Sequence, residues 1–340
     1  MDCSDKVISY LLLMLFAMVV LSFITRNSYS KMRRAPVSLE DVLVSTLQIP
    51  YRQIILVDDS TDETRDFFCK WCEKYDKELI VSGSKLYGYV RPTRATARQT
   101  AIDIFFENFT DNWLMFVDDD VILNRGWWDW ILQNKVLSDP SVGEIWGINW
   151  DSSPERGQFL KLLGIDLESY LIKKFEKRGG THDTIYNRHA IAGVKIPPEL
   201  HVYEDAYLHF WVKCAGWKSV INPIGALHYH PIDPCTDINR EKEKLRLMRH
   251  AAVNYGICEY EEAKALKGFK RAKAYLALIR PIVGLPPMLL ASCKMYGIKN
   301  GFIEAFKRQY VKLWLRWTML RAIQDDKIPS VCDAIRNSRA

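Results

Sequence analysis

The sequence predicts an α/β fold, in which a mostly parallel sheet with helices on its faces is followed by a helical extension. Short apolar runs alternate along the chain with longer segments of helical spacing, which is typical of parallel sheets. Two of these runs end directly in acidic clusters, at residues 58–60 and 118–120. Functional groups of such sheets lie at the carboxyl ends of the strands, so we expect both clusters at one edge.

The elements of this sheet can be assigned in order from residue 18. Apolar runs between polar segments predict strands at residues 18–24, 53–57, 79–82, 113–117 and 144–149. Helical spacing predicts helices at residues 37–47, 61–75, 95–108 and 238–253. Ser38 is the expected N-cap of the first helix, because Asp41 follows three residues later, as in a capping box. The alternation ends after Pro223, and we place a domain boundary near residue 235.

The composition excludes several classes of protein. The 340 residues suffice for one large α/β domain with an extension, and 48% hydrophobic and 26% charged residues exclude wholesale disorder and collagen-like sequence. Eight cysteines are too few for a disulfide scaffold, which favours a reducing compartment.

The charge of the chain is unevenly distributed. Residues 1–230 hold 26 basic and 30 acidic residues (net −4), whereas residues 231–340 hold 21 basic and 11 acidic residues (net +10). Basic residues mixed with apolar stretches favour an anionic membrane surface as the partner over nucleic acid. The alternative is a solvated basic helical tail.

An uncharged run of 18 residues at positions 7–24 has three interpretations. Its length suffices to span a bilayer. A cleaved signal is less favoured, because aspartates precede the run and no small-residue cleavage site follows it. In the third interpretation, residues 18–24 form a buried strand, and residues 1–17 are an apolar leader or the product of a mis-assigned start before Met18.

The cluster Asp118-Asp119-Asp120 predicts a metal site. Three adjacent carboxylates repel one another unless they share a cation, and oxygen ligands suit Mg²⁺ or Mn²⁺. Alternate side chains of an extended segment face the same side, so Asp118 and Asp120 can meet one ion while Asp119 points elsewhere. The alternative is a solvated acidic turn.

Two other patterns resemble metal sites but have simpler explanations. His228 and His230 share one side of an extended segment, yet a zinc site with Cys235 lacks a fourth ligand. Cys69 and Cys72 have no second pair of ligands, so we interpret them as small apolar positions of a helix.

Six segments, in this order, resemble motifs of the family 2 glycosyltransferases. They are residues 18–27 (MVVLSFITRN), 54–64 (IILVDDSTDET), 94–102 (RATARQTAI), 114–120 (LMFVDDD), 203–208 (YEDAYL) and 226–230 (ALHYH). The resemblance covers about residues 18–235. It implies a GT-A fold, a Rossmann-like sheet flanked by helices, and an inverting, metal-dependent enzyme that uses nucleotide-sugar donors.

The resemblance also implies a role for individual residues. Contacts to the nucleotide are implied for Thr25, Asn27, Asp58, Asp59, Arg98 and Asp119. Metal ligands are implied at Asp118 and Asp120, with His228 or His230 assisting, and Mn²⁺ or Mg²⁺ is the expected ion. Arg98 would face the phosphates or order the Asp58 loop, although Gln99 and Ala101 depart from the family's A-R-N-x-G pattern.

Glu204-Asp205 resembles the family's E-D motif, which implies that Asp205 is the catalytic base and that Glu204 orients the acceptor or caps a helix. Inversion requires one in-line displacement, in which a carboxylate takes the proton of the attacking hydroxyl. Without the other motifs, this acidic pair would be typical of a helix N-terminus.

The C-terminal tail suggests where the acceptor lies. Residues 275–290 are short for a membrane span, contain Arg280 and are interrupted by prolines, which favours an interfacial helix or a re-entrant hairpin. The tail (residues 236–340) resembles membrane-associating helices of some family members, which implies a lipid-linked or glycan acceptor at the cytoplasmic face of a membrane. Two alternatives are a phosphatase-like hydrolase with Asp118 as its nucleophile and a non-catalytic sugar-nucleotide-binding protein.

Overall fold

The structure is a computed structural model that describes residues 19–151, 164, 166–229, 238–257, 279, 282, 284–325 and 328–339. The predicted leader (residues 1–17), His230 and much of residues 275–290 lie outside the described residues. The described chain falls into two compact units. The first, here called the sheet unit, comprises the residues up to Ser152 and those from Asp166 to Ile232. The second, here called the C-terminal unit, includes the residues from Asp233 onward.

The sheet unit is built on one sheet of eight strands. The strands are β1 (Val19–Thr25), β2 (Gln53–Asp58), β3 (Glu78–Ser82), β4 (Trp113–Val117), β5 (Val121–Leu123), β6 (Val142–Asp151), β7 (Asp183–Asn187) and β8 (Lys218–His228). The predicted strands are all present, with ends shifted by a few residues, and β5, β7 and β8 are additional.

Helices cover the sheet and form the C-terminal unit. In the sheet unit they are α1 (Ser28–Met32), α2 (Leu39–Ser45), α3 (Thr64–Lys74), α4 (Arg94–Asn108), α5 (Trp127–Gln133), α6 (Leu167–Arg178) and α7 (Glu204–Cys214). The predicted cap of α2 is confirmed: the Asp41 amide donates to Ser38 Oγ at 3.1 Å, and the Ser38 amide donates to Asp41 Oδ2 at 2.8 Å.

The strand order β3-β2-β1-β4-β7-β6-β8-β5 places the acidic clusters at one edge. Strands β2, β1 and β4 are parallel neighbours, with Thr25 opposite Asp58 and Ser22 opposite Phe116. The carboxyl ends of these three strands therefore meet at the same edge, as the sequence predicts. This half of the sheet, together with its helices, confirms the predicted α/β fold.

The other half of the sheet is mixed, which the alternating pattern does not predict. Strand β7 runs antiparallel to both β4 and β6, and β5 runs antiparallel to β8. Strands β4 and β5 are separated by a short turn, which consists of the acidic cluster at residues 118–120. The antiparallel pairing of β5 with β8 sets His228 opposite Val121, directly beside this turn.

Strand β1 decides between the interpretations of residues 7–24. Its residues Val19, Val20, Leu21 and Phe23 are fully buried, and the strand lies between β2 and β4. The interpretation as a buried strand is therefore confirmed for the described residues. A single membrane span over residues 7–24 is excluded, because a strand inside a sheet cannot also cross a bilayer as part of one helix.

Gly225 permits the bend that carries β8 to β5. Its φ is +55°, and a Cβ built on it would lie 2.0 Å from the carbonyl oxygen of Ile148 on β6. The register between β6 and β8 shifts at this point. A residue with a side chain would be strained by its backbone conformation and would also collide with a neighbouring strand.

We therefore expect Gly225→Ala to lower the free energy of unfolding by about 3 kcal/mol, measured by chemical denaturation. Gly88→Ala is the matched control, because Gly88 also has positive φ (+81°) but a Cβ there would meet nothing within 4 Å. The control isolates the cost of the backbone conformation, about 1 kcal/mol. Equal losses in the two variants would contradict the proposed collision with β6.

The C-terminal unit consists of helices α8 (Ile238–Tyr255), α9 (Leu285–Tyr296), α10 (Ile298–Asp325) and α11 (Val331–Arg339). Helix α8 has the predicted position. Helices α9 and α10 pack closely at Gly301, where a Cβ would lie 2.4 Å from the Cα of Cys293. Within the described part of the chain, no helix is both long and apolar enough to cross a membrane.

Candidate active site

The turn after β4 holds three groups that can share a metal ion. Asp118, Asp120 and His228 each offer one ligand atom, and these atoms lie within 4.8 Å of one another. The turn is held in place by backbone hydrogen bonds: the Asp118 amide donates to the His182 carbonyl at 3.0 Å, and the Tyr229 amide donates to the Asp120 carbonyl at 2.7 Å. Two carboxylates and one imidazole form a donor set that fits Mn²⁺ or Mg²⁺ with open positions for further oxygens.

The pKa values of this group depend on its charged neighbours. Burial is the largest effect on Asp118 and would raise its pKa, but the guanidinium of Arg98 together with His228 and His182 lowers that pKa below its ordinary value. Burial lowers the pKa of His228, but its bond to Asp120, with Nε2 2.8 Å from Oδ1, raises that pKa overall. Since a metal binds the neutral imidazole, a bound cation would displace the proton from His228.

Asp119 points away from this group, as the alternation of side chains predicts. It is buried and accepts hydrogen bonds from the Ser28 hydroxyl and from Lys31 Nζ, the latter at 2.7 Å. Lys31 Nζ also donates to Asp120 Oδ2 at 2.8 Å. Burial lowers the pKa of Lys31, but the charges of Asp119 and Asp120 outweigh burial and raise that pKa above its ordinary value. Lys31 was not predicted, because nothing in its spacing marks a residue of α1 as part of the site.

The residues predicted to contact the nucleotide connect the loop after β1 to the loop after β2 through hydrogen bonds. Thr25 Oγ1 donates to Asp58 Oδ1 at 2.7 Å, and both residues are buried. Asn27, which has a positive φ of 55°, accepts from the Thr61 amide through Oδ1 at 2.8 Å. Asp59 is only partly buried and accepts from the Ser84 amide at 3.0 Å. Of the two aspartates, Asp59 is therefore the more accessible to a ligand.

Arg98 links the metal group to the acidic pair at the start of α7. Its side chain is buried, with Nη2 3.3 Å from Asp118 Oδ1 and Nε 3.3 Å from Glu204 Oε1. The residue therefore does not project into solvent from α4. Its guanidinium is directed toward the end of β4 and the start of α7.

Glu204 and Asp205 form the first turn of α7 but have different surroundings. Glu204 is buried, and burial together with the charge of Asp205 raises its pKa above the ordinary value despite Arg98. Asp205 is partly exposed, and its Oδ2 lies 3.6 Å from Nη2 of Arg178 on α6. This partner of Asp205 was not predicted. The more accessible of the two carboxylates is the predicted base.

Trp127 and the cysteine pair of α3 lie in structural positions. Trp127 is fully buried and its Nε1 donates to Asp183 Oδ2 at 2.9 Å, so it packs in the core. Cys69 and Cys72 both lie on α3, and burial raises the pKa of the Cys72 thiol to about 12. A thiol with such a pKa is a poor metal ligand or nucleophile near neutral pH.

One edge of the sheet therefore gathers Asp59, the acidic turn, His228, Arg98 and Asp205 from five different elements. An α/β sheet with an aspartate-rich turn after its central strand is the architecture of the GT-A glycosyltransferases, which use nucleotide sugars. Residues 24–191 match the family model described as glycosyl transferase family 2. The protein is thus a glycosyltransferase whose sheet unit carries a family 2 domain.

Several solved structures are similar to this chain. The chain resembles the mannosyltransferase PcManGT from Pyrobaculum calidifontis in complex with GDP-Man and Mn²⁺ (16% identity, 90% of this chain and 86% of that chain, TM-score 0.49). It also resembles TarS 1–349 from S. aureus (15% identity, 86% of this chain and 92% of that chain, TM-score 0.48). No curated protein matches the sequence.

Proposed function

We propose that this protein transfers a sugar, with inversion, from a nucleoside diphosphate donor to a lipid-linked or glycan acceptor at the cytoplasmic face of a membrane. The observation that carries the proposal is the connection made by Arg98. This buried side chain contacts Asp118 of the metal group and Glu204, the neighbour of Asp205. The residues for donor binding and those for acceptor activation therefore belong to one continuous site.

The donor half of the site is assigned from its accessible groups. Asp59 accepts hydrogen bonds from the nucleoside, whereas the buried Asp58 and Thr25 hold the loop that presents it. Asp118, Asp120 and His228 would hold Mn²⁺ or Mg²⁺, which would supply positive charge to offset the negative charge of the departing diphosphate. The guanidinium of Arg98 adds a positive charge next to Asp118.

The acceptor half of the site centres on Asp205. Its carboxylate accepts the proton of the acceptor hydroxyl while the hydroxyl oxygen forms a bond to the anomeric carbon and the bond from that carbon to the nucleotide phosphate breaks. Asp205 lies in the first turn of α7, and its Oδ2 lies 3.6 Å from Nη2 of Arg178. The buried Glu204 holds Arg98 and thereby fixes the position of this turn.

The membrane part of the proposal rests on α10. Phe302, Phe306 and Tyr310 are 51%, 49% and 63% exposed, and their spacing of four residues places them on one face of the helix. The exposed Lys299 lies next to this face. An exposed aromatic face with basic residues is typical of a helix that lies in a membrane interface. We therefore assign residues 236–340 as a membrane-associating extension of the catalytic domain at residues 18–235.

We expect the double change Phe302→Ser/Phe306→Ser to weaken binding to vesicles of phosphatidylglycerol and phosphatidylcholine by about tenfold, because less apolar surface enters the interface. Co-sedimentation with vesicles measures this effect. Val90→Ser is the control, since Val90 is 88% exposed but lies on the sheet unit. Unchanged binding of the double variant would remove α10 from the membrane proposal.

A thermal-shift screen of nucleoside diphosphates, with and without Mn²⁺, tests the proposed function as a whole. A nucleotide that raises the melting temperature only with Mn²⁺ supports a metal-dependent donor site. The phosphatase alternative predicts turnover of phosphate monoesters instead, but the match to a glycosyltransferase family does not support it. Stabilisation by no nucleotide under either condition would contradict the proposed donor site.

A further inference from the structure

Lys31 places a positive charge against the acidic turn at residues 118–120. Its Nζ lies 2.7 Å from Asp119 Oδ1 and 2.8 Å from Asp120 Oδ2. The helix that carries it, α1, is fixed to the loop after β2: the Tyr29 amide donates to Thr64 Oγ1 at 3.0 Å, and the Ser30 amide donates to Asp62 Oδ2 at 2.8 Å. The ammonium group is therefore held in place by the fold.

The two oxygens of Asp120 serve different partners. Oδ1 faces His228 Nε2 at 2.8 Å and belongs to the metal group, whereas Oδ2 accepts from Lys31. Lys31 therefore fixes the rotation of the Asp120 carboxylate and leaves one oxygen for a metal ion. The same ammonium also opposes that ion, because both positive charges share one carboxylate.

A count of the formal charges shows how Lys31 affects the binding of a metal ion and of an anionic diphosphate. The three carboxylates of the turn contribute −3 and Lys31 contributes +1, whereas the charge of Arg98 is balanced by its second partner, Glu204, so the site carries −2 with His228 neutral. A divalent cation changes this sum to 0. Without Lys31, the sum would be −3 before metal binding and −1 after it. Lys31 therefore disfavours the bare metal ion and favours a metal ion that arrives with an anionic diphosphate.

We propose that Lys31 is a positioning residue that couples metal binding to donor binding. It weakens the affinity of the free enzyme for Mn²⁺ and strengthens the affinity of the metal-loaded enzyme for the nucleoside diphosphate. Metal and donor then bind together, and the free enzyme holds little metal. This inference rests on the proposed function for the identity of the anionic ligand.

The experiment compares Lys31→Met, Lys31→Arg and wild type in two titrations. The first measures Mn²⁺ binding to the protein alone, by the loss of the free-ion electron paramagnetic resonance signal. The second measures UDP and GDP binding at saturating Mn²⁺, by calorimetry. Removal of a charge at this distance predicts about tenfold tighter Mn²⁺ binding and about tenfold weaker nucleotide binding for Lys31→Met. Lys31→Arg keeps the charge and should restore most of both affinities.

Opposite shifts distinguish this role from a structural one, since a damaged fold weakens both ligands. Lys74→Met removes a charge from an exposed ion pair with Glu40 and should change neither affinity. Shifts of both ligands in the same direction, or an unchanged Mn²⁺ affinity, would overturn the inference. If wild type binds Mn²⁺ but neither nucleotide, the proposed function fails, whereas the Mn²⁺ titration still decides whether Lys31 opposes the metal.

Discussion

Asp205→Asn is expected to reduce the rate of sugar transfer by about a thousandfold while leaving the affinity for the donor nucleotide nearly unchanged. The amide keeps the shape of the carboxylate but cannot accept the proton of the acceptor hydroxyl. The groups proposed to bind the donor nucleotide lie on other elements. Asp205 is linked to them through its neighbour Glu204, which contacts Arg98. Single-turnover transfer measures the first effect, and calorimetry with the nucleotide measures the second.

Asp66→Asn is the matched control for this prediction. Asp66 also lies in the first turn of a helix, α3, but it is exposed. The control also loses one carboxylate from the first turn of a helix. Any change in transfer that comes only from losing a charge at such a position should therefore appear in the control as well. Equal losses of transfer and nucleotide binding in Asp205→Asn would remove Asp205 from the role of base and would assign it to donor binding.

The parts of the fold that could be predicted are those with a strong local signal. Strands β1, β2 and β4 are continuous apolar runs, and each ends where a polar loop begins. Strand β8 contains Asn222, Pro223 and Gly225, which are turn residues, and β5 has only three residues. These strands form because of long-range pairing, so local periodicity could not predict them.

The same limit applies to the candidate site. Asp118 and Asp120 follow a predicted strand, at the end where parallel topology concentrates functional groups, and they were predicted from the sequence. His228 was named only through the family resemblance, as an alternative to His230. Lys31 and Arg178 lie on helices, and their importance depends on which carboxylate they reach. Arg98 was predicted as a site residue, but its pairing with Glu204 joins residues 106 positions apart. Such partners follow from tertiary structure only.

Asp120→Asn is expected to weaken Mn²⁺-dependent nucleotide binding by about a hundredfold. Asp120 holds two partners at once, His228 through Oδ1 and Lys31 through Oδ2. Loss of its charge removes a metal ligand and also removes the anionic group that contacts both His228 and Lys31, although Lys31 keeps its contact with Asp119. The amide preserves the shape of the side chain, so the variant should fold, and calorimetry with and without Mn²⁺ measures the effect.

Asp129→Asn provides the control, because it removes one carboxylate of the same chain region from the exposed first turn of α5. Nucleotide binding in the control should keep its dependence on Mn²⁺. Binding without metal should change little in Asp120→Asn, since the predicted nucleoside contact at Asp59 lies on a different loop. If Asp120→Asn retained the full gain in affinity on addition of Mn²⁺, the ion would have to bind elsewhere, and the metal group at the end of β4 would lose its assigned role.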